Sequence, residues 1–265
     1  MLDIRVDLWL NLPMPHTHND SAPLEAAEAS SSGAAASASN MPDIAVICFD
    51  AGGQKGLGWW ATPHGTLKQN HGVGVASLPD ALSWIAEQVQ LLPVAIGIEA
   101  PCWLPMAHDG RGMLKARPFE GTAWSGAGGL PVATQGAALM AEVTRSLSRL
   151  NVRYTFDVPT APGEVCLWEA YVSEAYKPGK LSAAATPQLH SNPHIADAQF
   201  AVEHGFLPLY HAKRLSPPLP FPLTRDVVSL LGNAVAQEAH DGSLVAHPCM
   251  VIGPGTTPGP KRLFP

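Results

Sequence analysis

The chain has 265 residues, 46% of them apolar and 14% charged, which suits a compact globular enzyme better than a solvated, disordered chain. No apolar run reaches the ~18 residues needed to span a bilayer without Pro, Asp or Glu inside it, so no membrane-spanning helix is expected. The formal charge of −6 argues against a surface built for phosphate, but residues 1–43 set Arg5 against Asp3, Asp7, Asp20, Glu25, Glu28 and Asp43, and this −5 leaves the remainder near neutral at −1.

Leu2, Ile4, Val6, Leu8, Leu10 and Leu12 alternate with mostly polar residues, the period of a half-buried strand. Asp3 and Asp7 stand where a secretory signal would be basic, so a cytoplasmic protein is expected. Residues 21–40 are rich in Ala and Ser and have no large apolar side chain after Leu24, the composition of a flexible linker. The expected organisation is an arm and linker over 1–42, one domain over 43–252, and a Pro/Gly-rich tail over 253–265.

The domain opens with Ile44-Ala45-Val46-Ile47-Cys48-Phe49, a continuous apolar run ending in Asp50-Ala51-Gly52-Gly53, as a buried central strand followed by a tight turn would. Residues 56–61 and 73–76 read as a second and third strand of an antiparallel meander. Leu82, Ile85, Ala86 and Val89 recur at helical spacing over 78–90, with Pro79 near the start where proline is tolerated. Residues 93–98 form another apolar strand ending in Glu99-Ala100-Pro101. A connection through one helix favours a parallel neighbour, so Glu99 is expected to approach Asp50.

Residues 101–132 contain Gly and Pro throughout and are too long for a simple connection. A helix is predicted over 134–150, strands over 153–158 and 165–172, and two further helices over 193–203 and 224–240. The four cysteines, Cys48, Cys102, Cys166 and Cys249, are widely spaced without a CxxC pair, and buried reduced thiols are expected.

Phe49-Asp50-Ala51-Gly52-Gly53 followed by Gly56-Leu57-Gly58-Trp59-Trp60-Ala61, with Ile96-Gly97-Ile98-Glu99-Ala100-Pro101 after a helix, resembles the RNase H-like superfamily. The closest resemblance is to the poorly characterised bacterial predicted RNase H-like nucleases, which usually carry Asp where this chain has Glu99. It covers roughly residues 44–240, firmly at these two motifs and loosely beyond them. It implies an α/β fold with a mixed five-stranded sheet flanked by helices, a Mg²⁺ or Mn²⁺ cofactor, and a nucleic-acid substrate cleaved by phosphodiester hydrolysis. Val165-Cys166-Leu167-Trp168-Glu169-Ala170-Tyr171 resembles the family's Glu-containing strand, and His194-Ile195-Ala196-Asp197-Ala198 its acid-bearing helix.

By this resemblance Asp50, Glu99 and Asp197 are the expected catalytic and metal-binding acids, with Asp226 competing for the place of Asp197. A few carboxylates from separate elements suit a hard cation that keeps waters in its shell. The plainer alternative is that Asp50 makes a turn with Gly52 and that Glu99 caps a strand before Pro101. Glu169 is either a fourth ligand or a buried acid paired to Arg or His. Lys55 and Arg117 are the preferred phosphate contacts, with Arg111 and Lys115 behind them, although a solvated charged face is the simpler reading of any one of them.

The Gly-rich stretch 121–129 follows no clear strand and lacks a P-loop lysine. His190 and His194 have a four-residue separation, but Pro193 lies between them and no compatible second pair exists for zinc, so capping or solvated histidines are expected. Trp59 and Trp168 are expected in the core, whereas Trp103 and Trp124, on the long loop, are candidates for stacking on bases. Two other functions fit parts of the pattern. An ATP-binding phosphotransferase uses a related fold and an Asp-x-Gly-Gly turn, though this chain is short for two lobes. A non-catalytic binding module could retain the fold without the chemistry.

Overall fold

The computed structural model describes residues 43–52, 56–63, 69–105, 129–171, 188–213, 215, 227–245, 247 and 249–252. The expected arm and linker over 1–42 and the tail over 253–265 lie outside them, as do Lys55, Arg111, Lys115, Arg117, Trp124 and Asp226.

Among the described residues seven strands form one mixed sheet. Strand β1 (Ala45–Ala51) pairs antiparallel with β2 (Leu57–Ala61), which pairs antiparallel with β3 (His71–Val73). Helix α1 (Leu78–Gln88) crosses to β4 (Val94–Glu99), which lies parallel to β1 on its other side. Two short strands then pair with each other apart from the main sheet, β5 (Trp103–Pro105) and the much later β8 (Val227–Ser229). Helix α2 (Leu130–Ser146) leads to β6 (Arg153–Thr155) and β7 (Glu164–Ala170), and β7 lies parallel to β4. The outer edge of β7 is shared in series: β6 pairs with Glu164–Cys166, and β9 (Met250–Ile252) pairs with Trp168–Ala170.

Strands β1, β4 and β7 are nearly continuous in Ala, Val, Ile, Leu and Cys because helices cover both sheet faces, as parallel central strands require. Alternate side chains divide between two cores. Ile47, Phe49, Ile96, Ile98 and Leu167 pack with α1, α2 and α5 (Leu230–Ala239). Val46, Cys48, Cys166 and Trp168 face α3 (Pro193–Phe200), a π-helical stretch (Ala201–Phe206) and α4 (Leu207–His211). On that face β4 carries Gly97, and a Cβ there would overlap the indole of the fully buried Trp168. Glycine is what lets the largest side chain of β7 lie flat across its neighbour.

Several expectations need correcting. The third strand is at His71–Val73 rather than over 73–76, because Gly74, at φ 74°, turns the chain into a short 3₁₀ segment, Val75–Ser77, held by Ser77 Oγ donating to the Gly74 carbonyl. Helix α2 starts about a turn earlier than predicted, with Pro131 in its first turn, and the α3 segment continues without interruption to His211. The described part of the predicted helix over 224–240 opens with β8, and its helical part starts at Leu230, capped by Ser229 Oγ accepting from Gly232 N. The sheet has seven strands rather than five, since β6 and β9 lengthen its β7 edge.

Candidate metal centre

Asp50 and Glu99 are direct register partners on the parallel strands β1 and β4. Matching register sends both side chains to the same face, the one covered by α3. There the apolar order stops: Val46 and Cys48 are core residues, and Asp50 continues the row with a carboxylate, as Glu99 does after Ala95 and Gly97. The C-terminal ends of parallel strands are where open α/β sheets commonly place ligands.

Helix α3 supplies the third acid. Asn192 sits at its N-cap, with Oδ1 accepting from the backbone N–H of His194 at 3.0 Å and of Ile195 at 3.3 Å, and Pro193 follows in the first turn. The helix packs across β1 and β2, burying Ile195, Ala198 and Phe200 and bringing Asp197 inward to 8% exposure. One carboxylate oxygen each from Asp50, Glu99 and Asp197 lies within 4.8 Å of the others. This is the convergence expected of these three residues from their motifs.

His194, one turn before Asp197 on the same helix, reads from the sequence only as a capping or solvated residue. Its Nδ1 instead forms a hydrogen bond with Asp50 Oδ2 at 2.6 Å. With Asp50 ionised the carboxylate can only accept, so the ring nitrogen donates and holds Asp50 through one oxygen. The glycines of the β1–β2 turn leave room both for the turn's own backbone, since a Cβ at Gly56 would first meet the Gly52 carbonyl at 2.5 Å, and for this ring. A Cβ at Gly52 would meet the imidazole at 3.1 Å, one at Gly56 would meet it at 3.0 Å, and one at Gly58 would run into the His194 backbone at 2.6 Å. The glycines that look like turn punctuation are therefore also the seat of α3. The His194-x-x-Asp197 spacing, one helical turn, is the sequence signal that could have found this residue.

The electrostatic effect of the cluster is felt two residues down β1. Burial pushes the Cys48 thiol well up, and the negative charges of Glu99, Asp50 and Asp197 push it further. Three carboxylates this close raise one another's energy until a cation or proton intervenes.

Glu169 does not join them. It is the register partner of Ile98, not Glu99, so it points to the opposite face, where it is fully buried and Oε2 accepts the backbone N–H of Cys102 at 2.9 Å. Its role as a fourth ligand of this centre is thus corrected by a one-residue difference in register. Trp103, a candidate for stacking on bases, is buried in the main core. His190 does not pair with His194 on a common ligand position: its Nδ1 accepts from Asn192 N, and its ring tilts against His71, which stacks on Trp60. Neither group of converging metal-ligating atoms among the described residues contains a histidine. All four cysteines are buried, and none forms a disulfide.

No described helix is long and apolar enough to cross a membrane. No family model, curated protein or solved structure matches the chain.

Proposed function

We propose that the protein is a divalent-metal-dependent nuclease of the RNase H-like type, hydrolysing phosphodiester bonds with Asp50, Glu99 and Asp197 as its metal-binding acids. The observation that carries this reading is their convergence within 4.8 Å from two strand ends and a helix. The surrounding order agrees with the resemblance: an antiparallel β1–β2–β3 meander, β4 parallel to β1 across one helix, β7 parallel to β4, and an acid-bearing helix after it.

The donor set fits the cofactor. Three carboxylates offer only hard oxygen ligands, which suit Mg²⁺ or Mn²⁺. When bound, such ions stabilise charge on phosphoryl oxygens and lower the pKa of water. The protein's own residues supply position. Parallel pairing of β1 and β4 holds two carboxylates side by side, and the packing of α3 against β1 and β2 brings the third to them. His194 takes one oxygen of Asp50 and orients the carboxylate, as hydrogen-bonded partners of metal ligands do. Electrostatic attraction of a polyanion by the fold is not part of this reading, since the chain beyond residue 43 is nearly neutral.

The test is cleavage of labelled single- and double-stranded DNA and RNA with Mg²⁺ or Mn²⁺, comparing the wild type with Asp50→Asn and Asp197→Asn. Metal-dependent cleavage by the wild type, reduced on the order of 100-fold or more in each variant while the melting temperature is kept, is the expected result. Full activity of Asp197→Asn would remove that residue from the centre. No cleavage by a wild type that binds Mn²⁺ would leave a binding module.

A further inference from the structure

On the sheet face opposite the three acids, the geometry points to a second metal site, in which Cys102, Glu169 and Cys249 hold a Zn²⁺ ion. The two thiol sulfurs and a Glu169 carboxylate oxygen all lie within 4.8 Å of one another. Exposure is 1%, 0% and 2% for the three residues, so this is an interior cluster and not a chance gathering of surface groups. The inference stands apart from the nuclease reading, because no residue is shared and the ligand chemistry differs. Thiolates are soft donors that favour Zn²⁺ over Mg²⁺, whereas the carboxylate centre has only hard oxygens.

The three come from distant parts of the chain. Cys102 follows the end of β4, Glu169 lies in β7, and Cys249 immediately precedes β9. In a tetrahedral site with Zn–S near 2.3 Å, neighbouring donor atoms sit roughly 3.5 to 4 Å apart, so a spacing within 4.8 Å needs a contraction of no more than about 1.3 Å. The carboxylate is already oriented by the Cys102 N–H, the type of support that ligating side chains receive from their surroundings.

The position also gives the ion a purpose. The Cys102 carbonyl accepts from Leu230 N at 2.8 Å and Leu231 N at 3.3 Å, so Cys102 anchors the start of α5. Edge strand β9 has only three residues. An ion bound here would join the exit of β4, three residues beyond Glu99, to β7, to β9 and through Cys102 to α5. Binding would release a proton from each thiol to solvent as it becomes a thiolate, so affinity should rise with pH. Three protein ligands leave the fourth tetrahedral position to a water, and burial of all three keeps that position away from a large substrate, so the ion would brace the fold and not hydrolyse.

The experiment uses the full-length chain, stripped of metal with a chelator and titrated with Co²⁺ as the spectroscopic probe. Thiolate-to-cobalt charge-transfer absorption in the near ultraviolet should appear, saturate at one ion per chain, and be displaced by Zn²⁺. Asp50→Asn should keep it, and Cys249→Ser should lose it. A wild type showing only the weak bands of oxygen-bound Co²⁺ would overturn the site whatever the variants do. Undiminished charge transfer in both Cys102→Ser and Cys249→Ser would overturn it as well. If the serine variants fail to fold, Glu169→Gln serves in their place: a tenfold or greater loss of Co²⁺ affinity supports the site, and unchanged affinity overturns it. Failure of the nuclease assay leaves these readouts untouched.

Discussion

The two faces of the central sheet are built from alternate residues of the same strands, yet they end in opposite chemistry. On the α1, α2 and α5 face, β1 and β4 carry Phe49 and Ile98 near their C-terminal ends, both fully buried, and β7 follows with Glu169 beside Cys102. On the α3 face, the next residues of β1 and β4 are Asp50 and Glu99. One step along a strand thus changes a residue from core to candidate ligand, because consecutive side chains point to opposite faces. The contrast between Glu99 and Glu169 makes the same point across strands. Both are acids near strand ends, and only register separates one from the other's site.

The sharpest test of this comparison substitutes two adjacent residues. Phe49→Ala should cost about 3 to 5 kcal/mol of stability by leaving a cavity in the core, measured by denaturant unfolding. Asp50→Asn should leave stability unchanged or raise it in the absence of divalent ions, since it relieves repulsion among three close carboxylates. It should also abolish Mn²⁺ binding by calorimetry and the rise in melting temperature that Mn²⁺ gives the wild type. If Asp50→Asn unfolded the protein as Phe49→Ala does, Asp50 would be a residue of the core and not of a site.

A smaller effect is expected at the residue that holds Asp50 in place. His194→Ala removes the donor to Asp50 Oδ2 and should weaken Mn²⁺ binding roughly 10- to 100-fold, with His194→Gln recovering part of the loss through its amide N–H. Unchanged Mn²⁺ affinity in His194→Ala would reduce the histidine to a packing residue on the glycine turn. The smallest expected effect is at the helix start. Asn192→Ala removes an acceptor from two backbone N–H groups and should cost about 1 kcal/mol in thermal or chemical unfolding. A melting temperature that does not move would mean that packing of α3 on β2, and not its cap, fixes the entry of Asp197.

What is legible in the amino-acid chain by itself is mostly local. A continuous apolar run ending in Asp50, another ending in Glu99, and a helix between them are enough to expect parallel neighbours with acids at matching ends. The helical period around Ile195 and Ala198 likewise places Asp197 at the edge of a buried stripe. Such features depend on side-chain periodicity and turn chemistry within a few residues, and these are written in the sequence.

The remainder depends on contacts between distant segments. That Glu169 faces away from Glu99 follows from pairing of β4 with β7, which no periodicity in either strand specifies. His194 is legible as a neighbour of Asp197 but not as the donor to Asp50, 144 residues away, because that bond exists only once α3 packs on the glycine turn. Cys102 and Cys249 show no metal-binding spacing, since they meet through the tertiary fold and not through a local loop. Strands β8 and β9 leave no trace in the pattern because three residues are too few to show a period, and they become strands by finding a partner edge. Sequence alone determined which of the longer segments are strands and helices and which acids end them; the register of the sheet and the docking of α3 decided which of those acids meet.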